Sequence, residues 1–181
     1  LRLLVFGGSQ GARVMSEIVP AAIDLMDPGL RARLHVVQQA RAEDLDEVRA
    51  AYARLGVAAQ VEPFFADLPA RMAEAHLVVS RSGASTVAEL SAIGRPAILV
   101  PLPHALDQDQ FHNAGALEAA GAAIRVVQKD FTPERLGADI AALAGHPEQL
   151  ARMAAAAKSA GAIAAAERLA DVVMKTASLG N

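Results

Sequence analysis

The chain has 181 residues, 17 Lys and Arg against 20 Asp and Glu for a formal net charge of −3, 53% hydrophobic residues and no cysteine. At roughly 100–200 residues per domain this is one domain with a real core, and the missing cysteines exclude a disulfide framework, a Cys-ligated zinc site and a thiol nucleophile. The near-neutral charge lacks the clustered Lys and Arg of a polynucleotide surface, so no nucleic-acid partner is expected, and no apolar stretch approaches the roughly 18 residues of a membrane span.

Leu3–Phe6 reads as the first strand, and Ala12 to Met26 as an apolar-periodic helix behind Ser9, stopped by Asp27-Pro28-Gly29. His35–Gln38 and Ala59–Glu62 follow as strands, and Asp67 opens a short helix with Pro69 close to its first turn. Leu77–Ser80, Ala97–Val100 and Ala123–Val127 complete six strand candidates. Thr132 is placed as an N-cap with Pro133 at the first helical position, giving a helix to Leu143 and a break at Gly145-His146-Pro147. Glu148 to about Ser178 reads as an alanine-rich helical tail interrupted near Gly161. Strands that are continuous apolar runs, alternating with helices, predict an α/β fold with a doubly wound, Rossmann-like parallel sheet of about six strands. Ligands of such a sheet sit beyond the carboxyl ends of its strands. Leu1 falls inside a strand signal and is not Met, so the natural protein is expected to extend further towards its N-terminus.

Four strand exits carry candidate chemistry. Phe6-Gly7-Gly8-Ser9-Gln10-Gly11-Ala12 runs from strand to helix, where glycines let backbone N–H groups approach an anion at the positive end of the helix. The alternative there is a tight turn with Ser9 as N-cap. The G-x-G-x-x-G spacing is not met, and Gln38-Gln39 stand where a dinucleotide site would place an acid, which leaves nicotinamide chemistry a minor alternative. Ser80-Arg81-Ser82-Gly83-Ala84-Ser85-Thr86-Val87-Ala88-Glu89 repeats the anion-site logic. Its Glu89 is either the far end of a capping box begun by Thr86 or a carboxylate whose two oxygens accept from a ribose diol. Pro101 to Asn113 gathers Asp and Gln side chains suited to sugar hydroxyls, while a metal site from His104, Asp107, Asp109 and His112 has no specific ligand spacing. In Glu62-Pro63-Phe64-Phe65-Ala66-Asp67-Leu68 the paired Phe residues pack in the core or wall off a base. His35, His76 and His146 are isolated, as packing or surface histidines are.

Taken together, Gly7-Gly8-Ser9-Gln10-Gly11-Ala12, Arg81 to Glu89, and His104-Ala105-Leu106-Asp107-Gln108-Asp109-Gln110 with Asn113-Ala114 make the chain resemble, over essentially all its length, the C-terminal half of the MurG family of peptidoglycan N-acetylglucosaminyltransferases. The resemblance implies the C-terminal domain of a GT-B glycosyltransferase, occupying residues 1–181, with the N-terminal acceptor domain absent from this chain. It implies UDP-GlcNAc as donor substrate, with no dedicated cofactor and no metal. The acceptor would be lipid I, met through the absent domain, at the cytoplasmic face of the bacterial inner membrane. Residue by residue, it puts Ser9 and the loop around it, Gly8 and Gln10 included, on the diphosphate. It puts the Phe65 backbone on uracil beside Phe64, and Gly83, Ala84, Ser85 and Thr86 at the phosphates. Glu89 falls on the ribose hydroxyls, and Asp109 and Gln110 on the GlcNAc hydroxyls, Gln110 being the closer match. Gln38 stands where the family often carries His before a Gln such as Gln39. No catalytic residue is expected in this chain, and the isolated chain is expected to transfer nothing. The alternatives are another GT-B-like UDP-sugar protein of the UDP-GlcNAc 2-epimerase type, or a non-catalytic nucleotide-sugar-binding module.

Overall fold

Six short aliphatic runs pair into one parallel sheet in the computed structural model, which describes residues 1–8, 12–103 and 108–161. They are β1 (Arg2–Phe6), β2 (His35–Gln39), β3 (Ala58–Glu62), β4 (Leu77–Ser80), β5 (Ala97–Leu99) and β6 (Ala123–Arg125), lying in the order β3-β2-β1-β4-β5-β6. β1 is central, with Leu3 opposite Val36 on one side and Leu77 on the other. β4 is buried along its whole length, as a strand covered on both faces must be. β5 and β6 end one and two residues before the expected Val100 and Val127. Ladder-like bonds persist just past their ends, with Val100 N donating to Ser80 O (2.8 Å) and Val126 N to Leu99 O (2.9 Å).

Helices α1 (Arg13–Asp24), α3 (Leu45–Leu55) and α7 (Pro133–Gly145) cover one face around Val5, Met15, Ile23, Tyr52 and Leu136. Helices α4 (Leu68–Glu74), α5 (Ala84–Ile93) and α6 (Asp109–Ala119) cover the other around Leu4, Phe6, Met72, Leu90 and Leu117. α1 stops at Asp24 rather than at the expected Met26. The Asp27 carboxylate accepts from Gly29 N (2.8 Å) and Leu30 N (3.2 Å), and so starts a separate turn, α2 (Pro28–Arg31). α7 starts as expected, with Thr132 Oγ1 accepting from Arg135 N at 3.3 Å. Residues 147–161 are helical, and the rest of the expected tail lies outside the described residues. The break expected near Gly161 falls at the edge of the described residues. Gly161 is still helical, and a Cβ there would lie 2.9 Å from the Ser91 Cβ of α5.

Gln38, whose site had no clear use in the sequence, is a structural residue. It is fully buried, its Nε2 donates to Met15 O at 3.3 Å, and its Oε1 accepts from the Tyr52 hydroxyl. Burial pushes the Tyr52 phenol well up, so it remains a donor. Tyr52→Phe should therefore cost about 1–3 kcal/mol by leaving a buried amide oxygen unpaired, read as a lower urea midpoint at unchanged slope. A midpoint equal to wild type would show that this bond contributes nothing.

Candidate functional site

Strand order reverses between β1 and β4, and the crevice outside the carboxyl ends at such a reversal is where open α/β sheets take ligands. A cavity of about 140 Å³ opens there, lined by Phe6, Gly8, Gln39, Phe64, Phe65, Leu68, Ser85, Thr86 and Glu89. It draws on the exits of β1, β2, β3 and β4. Its volume is below the roughly 300–1,000 Å³ of complete small-molecule pockets.

One wall has the backbone features that suit an anion. Gly8 takes a φ of +96°, a conformation that a side chain would strain. Beyond it α1 begins after Ala12, and α5 begins after Gly83; neither N-cap has a side-chain acceptor, and neither first turn carries an acid. α7, by contrast, has the Thr132 cap and Glu134 in its first turn. Among the described residues the backbone N–H groups of Ala84, Ser85 and Thr86 find no acceptor. Among the described residues, then, the N-terminal ends of α1 and α5 lack the negative groups that usually complement a helix start. Ser9 and Gln10 lie outside the described residues.

The capping box does not form. α5 starts three residues before the box requires, which makes Thr86 its third helical residue and leaves Glu89 in the second turn. Glu89 is half-buried, lines the cavity and has no hydrogen-bond or ion-pair partner among the described residues. The two Phe residues divide the roles that the sequence offered them jointly. Phe65 is 7% exposed beneath the Arg71 guanidinium, whose carbon lies 4.3 Å from the ring centroid, while Phe64 is 66% exposed.

The motif Arg81-Ser82 acts as a brace behind the site. Arg81 is buried, and its Nη1 donates to Val100 O and Pro101 O (both 3.1 Å), its Nη2 to Gln128 Oε1 (2.6 Å). Burial lowers the guanidinium from its usual value, though arginine stays charged at neutral pH. Ser82 Oγ donates to Gln110 O (2.8 Å) and Ser82 O accepts from Asn113 Nδ2 (3.2 Å), which ties the β4 exit to the start of α6. Asp109 and Gln110 therefore sit at a neighbouring strand exit and do not line the cavity. Gln110 Oε1 accepts from Leu102 N at 3.0 Å, and exposed Asp109 accepts from Gln110 N at 2.8 Å.

Among the described residues no group of three or more His, Asp or Glu is placed to hold a metal, and His104 and Asp107 lie outside them. His76 Nδ1 accepts from Arg2 N at 3.0 Å, its ring pKa lowered by burial and then by the nearby N-terminal amine and arginines. His146 Nδ1 lies 2.8 Å from Ala142 O. Phe6, Gln39 and Leu68 line the cavity and are not among the site residues the sequence pointed to. For Gln39 the available signal is a second polar residue, directly after Gln38, at the end of β2. Arg71 left no signal, because only folding sets it over Phe65.

The sequence model of the glycosyltransferase family 28 C-terminal domain matches residues 2–169. The chain is 64% identical over 179 residues to the UDP-N-acetylglucosamine–N-acetylmuramyl-(pentapeptide) pyrophosphoryl-undecaprenol N-acetylglucosamine transferase of Bradyrhizobium sp. strain BTAi1, covering 99% of this chain and 49% of that protein. The protein of the same name from Rhodopseudomonas palustris strain BisB5 matches to the same extent. Among solved structures, MurG of Acinetobacter baumannii has a TM-score of 0.83 at 32% identity, over 97% of this chain and 52% of that one. The chain thus spans about half the length of these relatives.

Proposed function

The chain belongs to the glycosyltransferase family 28 C-terminal domain family, and from that membership we propose that it is the donor-binding half of an inverting glycosyltransferase that moves GlcNAc from UDP-GlcNAc to lipid I, undecaprenyl-pyrophosphoryl-MurNAc-pentapeptide, in peptidoglycan synthesis. The observation that supports this most is the gathering of Gly8, Phe64, Phe65, Ser85, Thr86 and Glu89 around one cavity at the reversal of strand order, beside unpaired first-turn amides of α5. Free amides at a helix N-terminus suit the diphosphate. A carboxylate with no partner among the described residues suits the ribose diol, and the exposed Phe64 ring suits uracil. Ser9 and Gln10 extend the diphosphate contacts, and Asp109 and Gln110 take GlcNAc hydroxyls.

In the reaction the acceptor hydroxyl attacks C1 of GlcNAc, the bond from C1 to the diphosphate oxygen breaks, and the anomeric centre inverts. Negative charge grows on the departing UDP. Amides already oriented at the α1 and α5 ends stabilise that charge without reorganising at the moment of reaction. The base that takes the acceptor's proton, and the groups that hold lipid I, belong to the remainder of the enzyme, which works as a peripheral protein on the cytoplasmic face of the inner membrane. Among the described residues no helix is long and apolar enough to cross a membrane.

Saturation-transfer NMR of the chain with UDP-GlcNAc and NAD together at millimolar concentration tests the reading. Enhancement on uracil, ribose and N-acetyl protons is the expected result, and enhancement on nicotinamide or adenine protons instead would overturn it. Incubated with a lipid I analogue, the chain alone should transfer no GlcNAc. Measurable transfer would refute its being half of the catalytic site, and conversion of UDP-GlcNAc to its C2 epimer would favour the epimerase alternative.

A further inference from the structure

A second cavity lies on the same face of the sheet, towards the amino ends of the strands. Its volume is about 270 Å³, against about 140 Å³ for the first, and approaches the roughly 300 Å³ at which small-molecule pockets begin. Because side chains alternate along a strand, Arg2, Leu4 and Phe6 of β1 share this face with His35, Val37 and Gln39 of β2. Parallel register sets Leu4 opposite Val37 and Val37 opposite Gln60 of β3, a row across three strands, with Arg2 opposite His35 in the row below. Phe6 and Gln39 line the first cavity, and the others line the second. α4 supplies a further wall with Arg71 and Glu74. Arg71 stands between the two cavities, since its guanidinium lies over Phe65 of the first and lines the second.

This lining offers many donors and few acceptors. Arg71 Nε donates to Asp67 Oδ1 and Nη1 to Gln60 Oε1, both at 2.7 Å, which leaves Arg71 Nη2 and Gln60 Nε2 without partners among the described residues. The exposed His35 ring has none among them either. Arg2 reaches Glu74 at 3.7 Å, too far for a hydrogen bond, and both side chains are exposed. Such a pair contributes little, so the Arg2 fork is open to a better acceptor. Among the described residues of the lining, Glu74 is the one carboxylate. Arg95 adds positive charge at the end of α4, where it donates to Ala73 O and has no acid partner among the described residues. Leu4 and Val37 give the cavity an apolar floor.

We infer that this cavity is a second ligand site, for a small organic phosphate whose apolar body lies on Leu4 and Val37 and whose oxygens accept from Arg2, His35, Gln60 and Arg71. Guanidinium forks suit phosphate oxygens, and a ligand rich in acceptors completes a lining rich in unused donors. The site uses none of the groups proposed for the nucleotide sugar, so it stands or falls apart from the donor reading.

Phenyl phosphate, titrated into the isotope-labelled 181-residue protein and followed by amide chemical shifts, tests this. The amides of Leu4, His35, Gln60 and Ala75 should shift together and saturate in the millimolar range. Phenol and inorganic phosphate should each bind about tenfold more weakly, since each offers half of what the cavity recognises. The double variant Arg2→Gln with His35→Ala should lose about tenfold, and Glu74→Gln, which removes the like charge, should gain about threefold. All three substituted side chains are exposed, and thermal melts serve as the fold control. Should the double variant melt early, Glu74→Gln decides alone. Shifts confined to Gly8, Ser85 and Thr86 would place the anion in the first cavity only and overturn the inference. So would the absence of any saturable shift, phenol or phosphate binding as tightly as phenyl phosphate, a folded double variant of unchanged affinity, or a Glu74→Gln variant that binds no more tightly.

Discussion

Glu89→Ala should weaken UDP by about tenfold or more beyond its effect on 2′-deoxy-UDP, because UDP offers both hydroxyls to a bidentate carboxylate, 2′-deoxy-UDP offers the 3′-hydroxyl alone, and a hydrogen bond to a charged group contributes about 1.5–3 kcal/mol. The fold makes this the sharpest expected effect on binding. The carboxylate has no partner among the described residues, so truncating it breaks no described internal contact, and α5 already begins at Gly83 without it. Stability should stay within about 0.5 kcal/mol of wild type, as for a substitution away from caps and core. Equal losses for the two nucleotides in paired titrations would remove the ribose role. A marked drop in melting temperature would instead mean that Glu89 supports the helix in some other way.

The largest effect on stability is expected at Arg81. Replacing it by Met keeps the length and much of the apolar stem, yet withdraws the donor from two backbone carbonyls at the β5 exit and from Gln128. Buried acceptors left unpaired, together with the lost charge-assisted bonds, should cost about 2–4 kcal/mol. Arg81→Lys should recover only part of that, since one ammonium cannot reproduce a planar fork that serves three acceptors. Urea unfolding of both variants gives the measurement. Donor affinity should fall along with stability, because the residue after Arg81 ties the β4 exit to α6 through Gln110 and Asn113. A Met variant as stable as wild type would show that the brace is redundant.

Much of the architecture was legible before folding. Leu77–Ser80 is a strand as read, β1, β2 and β3 differ from their expected spans by one residue at one end, and Thr132 with Pro133 starts α7. Those are short-range properties. A run of buried aliphatics, a hydroxyl cap or a Pro at the first turn acts over a few neighbouring residues, so its signal sits in the sequence itself. The same locality left two readings open at Thr86 and Glu89, where the spacing also fits a capping box. Gly83 instead takes extended φ and ψ of −60° and 154° and starts the helix earlier, which frees the carboxylate.

The sequence by itself determined that this is a doubly wound α/β protein with glycine and hydroxyl loops at its strand exits, and through its motifs the family to which it belongs. Only the tertiary structure decided which of those loops share a cavity, that Phe65 is an anchor while Phe64 stays open, that Gln38 is a core residue, and that Gln39, Arg71 and Arg81 hold the site from behind. The physical reason is distance in sequence. Gly8, Gln39, Phe65 and Glu89 become neighbours only because β1 lies between β2 and β4, an order of strands that no local pattern encodes.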